Sequence, residues 1–326
     1  MNTFKGAYIE ISGVCNARCP WCITGRTPIS ERSNTFMSAE LFESVVKKLC
    51  SEVHLETSRL NLYNWGEPTL NPDFLEILEI AIRYGFKIGI SSNASFWVDI
   101  PQQILDYIES WVFSVSGFSQ ASYDRIHGFN VNTIYENIAR YSNIFFSKPS
   151  RFRKNLTMAF HVYNFNKGEI NDAKKFCMKH AINFYPYFAF LNDFDRAIGY
   201  LKTRQDKTIL PQSLIDRIQE DLELGYVDDL LASQPFNYRC PQFDSIVIDE
   251  YGRLLTCCAL PFYHESYSLG DFLAMNVDEV RKKKVSQSVC RECLSVGWAW
   301  WAHHVQCADS PANARWWRRL MQCLKK

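Results

Sequence analysis

Short apolar runs alternate with amphipathic stretches along the first 195 residues of the chain. Six runs have the alternation or the continuous apolar character of β-strands, and they span residues 6–12, 58–64, 87–93, 110–116, 155–163 and 182–190. Five intervening stretches have helical spacing, the first with Ser38 as its N-cap, and they span residues 38–50, 72–84, 101–108, 133–146 and 172–181. This alternation predicts parallel βα units in an α/β fold.

Three cysteines follow the first predicted strand within eight residues, at Cys15, Cys19 and Cys22. Three thiolates at this spacing can each hold one corner of an iron-sulfur cube, and one iron is then left free for chemistry. The alternative is a zinc knuckle or half of a zinc site. Structural zinc usually takes four ligands from paired C-x2-C units, so the triplet favours the cluster.

The C-x3-C-x2-C pattern, with Trp21 directly before its last cysteine, resembles the signature of radical S-adenosylmethionine (SAM) enzymes. The resemblance implies a 4Fe-4S cluster whose open iron binds SAM, and cleavage of SAM to a 5'-deoxyadenosyl radical that takes a hydrogen atom from the substrate. It also implies an electron donor of the flavodoxin or ferredoxin type. The six predicted βα units then match the partial TIM-like (β/α)6 barrel of that family.

Later segments resemble the SAM-binding segments of the same family, in the same order. The strand at 60–64 runs into a Gly-Glu-Pro turn that has Trp65 where Gly-Gly-Glu-Pro is commoner, and Glu67 is the predicted partner of the SAM ammonium group. Residues 90–94 resemble the strand that contacts the ribose, and residues 113–128 resemble the loop after the fourth strand. The implied SAM contacts are Trp21, Gly66, Glu67, Pro68, Ser91, Asn93 and Ser114.

One face of each predicted strand carries polar residues. Because helices cover the outside of such a barrel, we expect this face to point inward, towards the mouth where active sites of parallel barrels lie. Individual members could instead be core residues with satisfied hydrogen bonds. The set is Tyr8, Glu10, Ser12, Asn61, Tyr63, Ser91, Asn93, Ser114, Ser116, His161, Tyr163, Tyr185 and Tyr187. The predicted catalytic residues are His161, Tyr163, Glu10 and Tyr187, and the ordinary histidine pKa of about 6.5 suits His161 best to proton transfer at neutral pH.

A second cysteine pattern occupies the last third of the chain. Cys240 and Cys257 flank a predicted hairpin with Gly252 between them, and Cys290-x2-Cys293 follows. This resembles the SPASM and Twitch auxiliary domains, which implies a second 4Fe-4S cluster. With Cys258, Cys307 and Cys323 there are seven cysteines beyond residue 239, one short of two all-cysteine cubes, so the single-cluster Twitch form is favoured. A zinc-ribbon site is the alternative.

Composition adds limits to this interpretation. A net charge of +1 over 326 residues gives no reason to expect a nucleic-acid partner, and no stretch resembles a secretion signal or a membrane span. Twelve cysteines then fit metal ligation in a reducing cytoplasm. We expect a barrel over 1–195, a helical connector over 196–235 with one helix at 211–233, and an auxiliary domain over 236–326. The aromatic stretches 298–304 and 315–319 are interpreted as a packed tail.

The substrate is less determined than the initiating chemistry. The resemblance to Twitch aminocyclitol dehydrogenases and the mere fourteen residues before Cys15 favour a small polar substrate, such as a sugar or aminocyclitol, oxidised by two electrons. Radical epimerisation, with Cys258, Cys307 or Cys323 as hydrogen donor, and peptide modification stay open. A zinc-binding protein without catalysis, or a nucleic-acid-binding protein, is a distant alternative.

Overall fold

Six parallel strands form a partial barrel in the computed structural model, which describes residues 2–147, 155–204, 209–260 and 267–305. All six predicted strands are present. They are β2 (Gly6–Ile9), β4 (Arg59–Asn61), β5 (Lys87–Ser92), β6 (Ile108–Val115), β7 (Asn155–Val162) and β8 (Asn183–Phe188), and they pair in this order. The predicted partial (β/α)6 barrel is therefore confirmed.

Five further strands complete the sheets. The free edge of β2 pairs in parallel with β9, which continues as an antiparallel meander through β10 and β11. The hairpin predicted before Cys257 is thus present, and Gly252 supplies the positive φ of 78° that its turn requires. β1 and β3 form a separate parallel pair. The strands are β1 (Asn2–Phe4), β3 (Val53–Leu55), β9 (Ser245–Ile248), β10 (Arg253–Leu255) and β11 (Ser268–Asp271).

The sheet therefore crosses the expected boundary at residue 236, because β9 is hydrogen-bonded to β2 along its full length. The division into barrel, connector and auxiliary domain stays a prediction.

Helices cover the outer face of the barrel, and every βα helix of the sequence prediction has a counterpart. Ser38 caps its helix as predicted, accepting from the Leu41 amide at 3.2 Å. The helices are α1 (Ile23–Arg26), α2 (Ala39–Glu52), α3 (Phe74–Arg83), α4 (Gln102–Leu105), α5 (Gln120–Ile126), α6 (Val131–Phe146), α7 (Ile170–Lys179), α8 (Phe194–Arg204), α9 (Gln212–Asp221), α10 (Val227–Ala232), α11 (Val280–Ser286), α12 (Ser288–Ser295) and α13 (Trp298–Val305).

The single helix predicted over 211–233 is wrong. It is two helices, α9 and α10, because Leu222 adopts an extended conformation. Asn164 ends the first helix: its Nδ2 donates to the carbonyl oxygens of Gln219, Glu220 and Leu222 at 3.0–3.2 Å. A tertiary contact thus takes the terminal carbonyls that the helix leaves unpaired.

The core lies between the barrel and its helices. Trp111 of β6, fully buried, packs against Tyr141 and Phe145 of α6, with ring centroids 4.7 and 5.9 Å apart. Aromatic burial of this kind provides a large share of the hydrophobic stabilisation. None of the helices in the described ranges is long and apolar enough to cross a membrane.

The aromatic stretch at 298–304 forms α13, which packs on the preceding helices. Trp301 is fully buried and its Nε1 donates to the Tyr226 hydroxyl at 3.0 Å, while Trp300 Nε1 donates to the Leu230 carbonyl at 2.9 Å. This confirms the packed interpretation for the first half of the predicted tail. Residues 315–319, with Cys307 and Cys323, lie outside the described residues.

Candidate functional site

A cavity of about 290 Å³ opens at the carboxyl ends of the barrel strands, where active sites of parallel barrels are built. We call it the barrel cavity. Three sets of sequence-predicted residues meet there: the N-terminal cysteines, the Gly-Glu-Pro turn and the polar strand faces. The lining includes Cys15, Cys19, Trp21, Cys22, Tyr63, Asn64, Gly66, Glu67, Ser91, Ser92, Asn93, Ser114, Ser116, His127, His161, Tyr163 and Tyr187.

Arg32 holds the cysteine-bearing loop in shape. Its guanidinium donates to four backbone carbonyl oxygens, those of Cys15, Ala17, Gly25 and Thr27, at 2.6–3.2 Å. Five N–H donors in a rigid fork suit Arg32 to this task. Nothing in the sequence pattern identified this residue, because its partners are backbone groups.

The three cysteines are half-buried, and their thiols are close enough to influence one another. Burial raises the pKa of Cys15 to about 12 and also raises the pKa of Cys19 and Cys22, while the positive charge of Arg32 lowers the pKa of Cys15 and Cys19. Metal ligation requires thiolates, so loading this site must release protons.

The Gly-Glu-Pro turn is clamped against the cysteine loop. A Cβ on Gly66 would lie 1.7 Å from the Ser12 carbonyl oxygen, so only glycine fits there. The Glu67 amide donates to the Val14 carbonyl at 2.8 Å. Pro68 begins a short 3-10 turn (Pro68–Leu70) and is buried, but it does not line the barrel cavity.

Glu67 is 1% exposed, and its carboxylate accepts four hydrogen bonds from nearby groups. Oε1 accepts from the Thr69 amide and hydroxyl and from the Ser92 hydroxyl, at 3.2, 2.6 and 2.8 Å. Oε2 accepts from the Asn93 amide at 2.7 Å. Burial raises the pKa of Glu67 and these bonds lower it. Within the described residues Oε2 has one hydrogen-bond partner, and Glu67 lines the barrel cavity, so this oxygen has acceptor capacity left for a ligand.

Glu10 lies behind the turn and is not among the cavity-lining residues of the described chain. Its carboxylate accepts from the amides of Trp65 and Gly66 and so fixes the turn. Burial, together with the nearby Glu250 charge, raises the pKa of Glu10 to about 8. The expectation that Glu10 faces the substrate is therefore corrected: its Oε2 holds two backbone amides, and its Oε1 is buried without a hydrogen-bond partner among the described residues.

Eight of the thirteen residues predicted on the polar strand faces line the barrel cavity. They are Tyr63, Ser91, Asn93, Ser114, Ser116, His161, Tyr163 and Tyr187. Ser91 and Ser114 are neighbours, with their hydroxyl oxygens 3.4 Å apart. Asn93 Nδ2 donates to Asn16 Oδ1 at 3.0 Å and thereby links β5 to the cysteine loop. Trp21 also lines the cavity, and its indole is fixed by a 3.0 Å hydrogen bond to Asp221.

Two histidines form a hydrogen-bonded chain along the barrel cavity. His161 Nε2 is 2.6 Å from the Tyr187 hydroxyl, His161 Nδ1 is 3.2 Å from Ser116 Oγ, and Ser116 Oγ is 2.8 Å from His127 Nε2. Burial lowers the pKa of His161 to about 4 and that of His127 to about 3. The expectation of an ordinary pKa for His161 is wrong, since the ring is desolvated and therefore neutral at pH 7. His127 was not predicted; the signal for it was its position within residues 113–128, the segment that resembles the family's loop after the fourth barrel strand.

The second predicted ligand set also converges. Cys240, Cys257, Cys290 and Cys293 line one small apolar cavity of about 30 Å³, the four-cysteine cavity. Cys257 follows β10, and the last two lie one turn apart on α12. Cys258 is not among its lining residues in the described chain. With the Asn64 amide turned to satisfy both neighbours, its nitrogen donates to the Cys258 carbonyl at 3.0 Å.

Neither cysteine set in the described ranges is arranged to hold a single metal ion. A zinc ion gathers all its sulfurs at about 2.3 Å from one centre, whereas each cysteine of an iron-sulfur cube bonds a different iron. Ligation by both sets stays a prediction.

Comparisons with known proteins bear on the barrel. A family model described as the Radical SAM superfamily matches residues 9–177, slightly more than half of the chain. A Helicobacter pylori UPF0026 protein (strain ATCC 700392 / 26695) is 27% identical over 137 residues, which cover 40% of this chain and 44% of that protein. A Pyrococcus furiosus tungsten-containing aldehyde ferredoxin oxidoreductase cofactor-modifying protein is 30% identical over 95 residues, 29% of this chain and 25% of that protein. The chain spans less than half the length of these curated relatives.

Solved structures extend the likeness beyond the family match. Streptococcus suis SuiB bound to S-adenosylmethionine superposes with a TM-score of 0.53 at 16% identity, covering 86% of this chain and 64% of that chain. Native anSMEcpe with bound AdoMet gives a TM-score of 0.54 at 13% identity, covering 98% of this chain and 99% of that chain. At such identities the likeness shows a shared fold.

Proposed function

The chain belongs to the radical SAM superfamily, and on that premise we propose that it oxidises a small polar substrate by two electrons after radical cleavage of SAM. Cys15, Cys19 and Cys22 would hold the 4Fe-4S cluster, which with SAM supplies a 5'-deoxyadenosyl radical. The observation that carries the proposal is that these cysteines, the Gly66–Glu67 turn and a histidine–tyrosine pair share one cavity.

The turn and the strand ends would bind SAM. Glu67 keeps an acceptor position on Oε2 for the SAM ammonium, and an ammonium there would favour the ionised carboxylate, against the effect of burial. Ser91 and Ser114 offer hydroxyl groups at adjacent strand ends for the ribose. Gly66, Asn93 and Trp21 complete the proposed contacts, and Pro68 supports them by fixing the turn.

The histidine–tyrosine pair would position the substrate and take its hydroxyl proton. His161 is neutral at pH 7, so its ring has one lone pair, and it would accept the proton through the Tyr187 hydroxyl 2.6 Å from its Nε2. The Ser116 hydroxyl on the other ring nitrogen orients the imidazole. Tyr163, which lines the same cavity, is a second positioning candidate.

Oxidation also needs an acceptor for the second electron. Cys240, Cys257, Cys290 and Cys293 would hold a second 4Fe-4S cluster, which would supply that acceptor. One contact connects the two regions: Asn64 lines the barrel cavity and donates to the carbonyl of Cys258, the residue after Cys257. A flavodoxin or ferredoxin in the cytoplasm would deliver the initiating electron.

Product analysis tests this proposal. The anaerobically reconstituted chain, given SAM, a reductant and a panel of sugars and aminocyclitols, should yield a product two mass units lighter and one 5'-deoxyadenosine per turnover, with no solvent deuterium at the reacting carbon. A product of unchanged mass that carries one deuterium from deuterated water would contradict oxidation and indicate epimerisation. Cys258→Ala would then test the thiol donor.

Peptide modification is the second candidate. Two superposed structures, SuiB with precursor peptide SuiA and anSMEcpe with the Kp18Cys peptide, contain peptides. A SAM-dependent mass change in a peptide, without turnover of any small polar substrate, would favour this candidate.

A further inference from the structure

Lys284 is a buried cation next to the four-cysteine cavity. It lies on α11 and is 0% exposed. Its ammonium donates to the Ser245 carbonyl at 2.6 Å and to the Gln242 carbonyl at 3.1 Å. Gln242 itself lines the four-cysteine cavity. The ammonium therefore contacts the backbone of a residue that forms the cavity wall.

No carboxylate in the described part of the chain forms an ion pair with Lys284. Neighbouring Arg281, by contrast, is paired with Asp244 at 2.8 Å. An ammonium without an anion is costly to bury, and two carbonyl dipoles compensate only part of that cost. Burial lowers the pKa of Lys284 to about 8, and the charges that act against this effect and favour the protonated lysine are those of the thiols Cys257, Cys258, Cys290 and Cys240.

We propose that Lys284 is the counter-cation of the anionic centre held by the four-cysteine cavity, and that its charge raises the reduction potential of that centre. This inference rests on the auxiliary cluster of the proposed function. Four thiolates on a 4Fe-4S core give a net negative charge, and reduction adds one further electron. A fixed positive charge in a dry environment stabilises the reduced form more than the oxidised form.

The experiment is a redox titration of the reconstituted full chain, followed by electron paramagnetic resonance, with iron and sulfide analysis of each variant. Lys284→Met and Lys284→Gln remove the charge, and Gln keeps an amide donor for the carbonyl oxygens. Lys284→Arg keeps the charge. Lys283→Met is the matched control, because Lys283 is on the same helix with a partly exposed side chain paired to Glu279.

We expect the reduction potential of the auxiliary cluster to fall by about 59 mV or more in the two neutral variants. For a one-electron couple this is a tenfold or larger shift of the equilibrium against reduction. The potential of the SAM-binding cluster should not change, and the Arg and Lys283 variants should match wild type. An unchanged potential of the auxiliary cluster in Lys284→Met with full iron content would overturn this inference and leave the proposed function intact. Equal loss of cluster in the Met, Gln and Arg variants would also overturn it, since that result identifies a purely structural lysine.

Wild-type protein that contains four irons and one zinc would contradict the auxiliary-cluster assignment itself, and with it the proposed effect of Lys284 on the reduction potential. The metal content of wild type thus tests the auxiliary cluster of the proposed function, and the potentials of the variants test the role of Lys284.

Discussion

Glu67→Gln separates the charge of the carboxylate from its shape. The carboxylate accepts four hydrogen bonds, and in the variant Oε1 can still accept from Thr69 and Ser92. The new amide nitrogen then faces the Asn93 amide, which donated to Oε2 at 2.7 Å. Two donors cannot pair, so one bond to a charged acceptor is lost, at a cost of about 1.5 to 3 kcal/mol in folding stability.

The same change removes the proposed partner of the SAM ammonium. Loss of one charge-assisted bond of about 1.5 to 3 kcal/mol lowers affinity roughly tenfold or more. The assay is equilibrium binding of SAM to anaerobic, reconstituted protein of known iron content. Ser92→Ala is the control, because it removes one hydrogen bond to the same carboxylate and keeps the charge.

We expect weaker SAM binding only in Glu67→Gln, and reduced thermal stability in both variants. Wild-type affinity in Glu67→Gln at full iron content would refute the ammonium contact. An equal affinity loss in Ser92→Ala would assign the effect to the shape of the turn.

Three further predictions follow from buried contacts of the site. Arg32→Met leaves four loop carbonyls without their donor and should reduce iron loading by the first cysteine set, whereas Arg32→Lys should retain part of it; iron analysis checks both. The pKa of Glu10 is raised to about 8, so wild type should lose stability as pH rises from about 4.5 to 8, and Glu10→Gln should flatten this dependence in denaturant titrations; an unchanged slope would contradict it. Trp21→Phe removes one hydrogen-bond donor from buried Asp221 and should lower the free energy of unfolding by about 1 to 3 kcal/mol, which a lower unfolding midpoint would show.

The sequence predicted the barrel strands well because their pattern is local. Ser114 and Ser116 alternate with apolar residues, and this period alone places both side chains on the cavity wall. The resemblance of the second cysteine pattern to SPASM and Twitch domains likewise anticipated that Cys240 and Cys257 would meet a later pair on α12. The first inference needed only residue types at fixed separations, and the second needed the family resemblance as well.

Other features depend on contacts between distant segments, which no local pattern contains. Asn164 divides the predicted helix at 211–233 by taking its carbonyls. The strand alternation predicts that Glu10 faces the cavity, yet its carboxylate accepts hydrogen bonds from backbone amides 55 and 56 residues away. The low pKa of His161 arises from burial, which depends on the whole barrel.

The central claim is tested most directly by iron content and SAM cleavage in two cysteine variants. Anaerobic reconstitution of wild type should give about eight irons per chain, as two cubes require. Cys19→Ala should lose about half of that iron and produce no 5'-deoxyadenosine, whereas Cys290→Ala should lose a similar amount and still cleave SAM. Wild-type protein that binds zinc, contains no labile sulfide and leaves SAM intact would contradict the account.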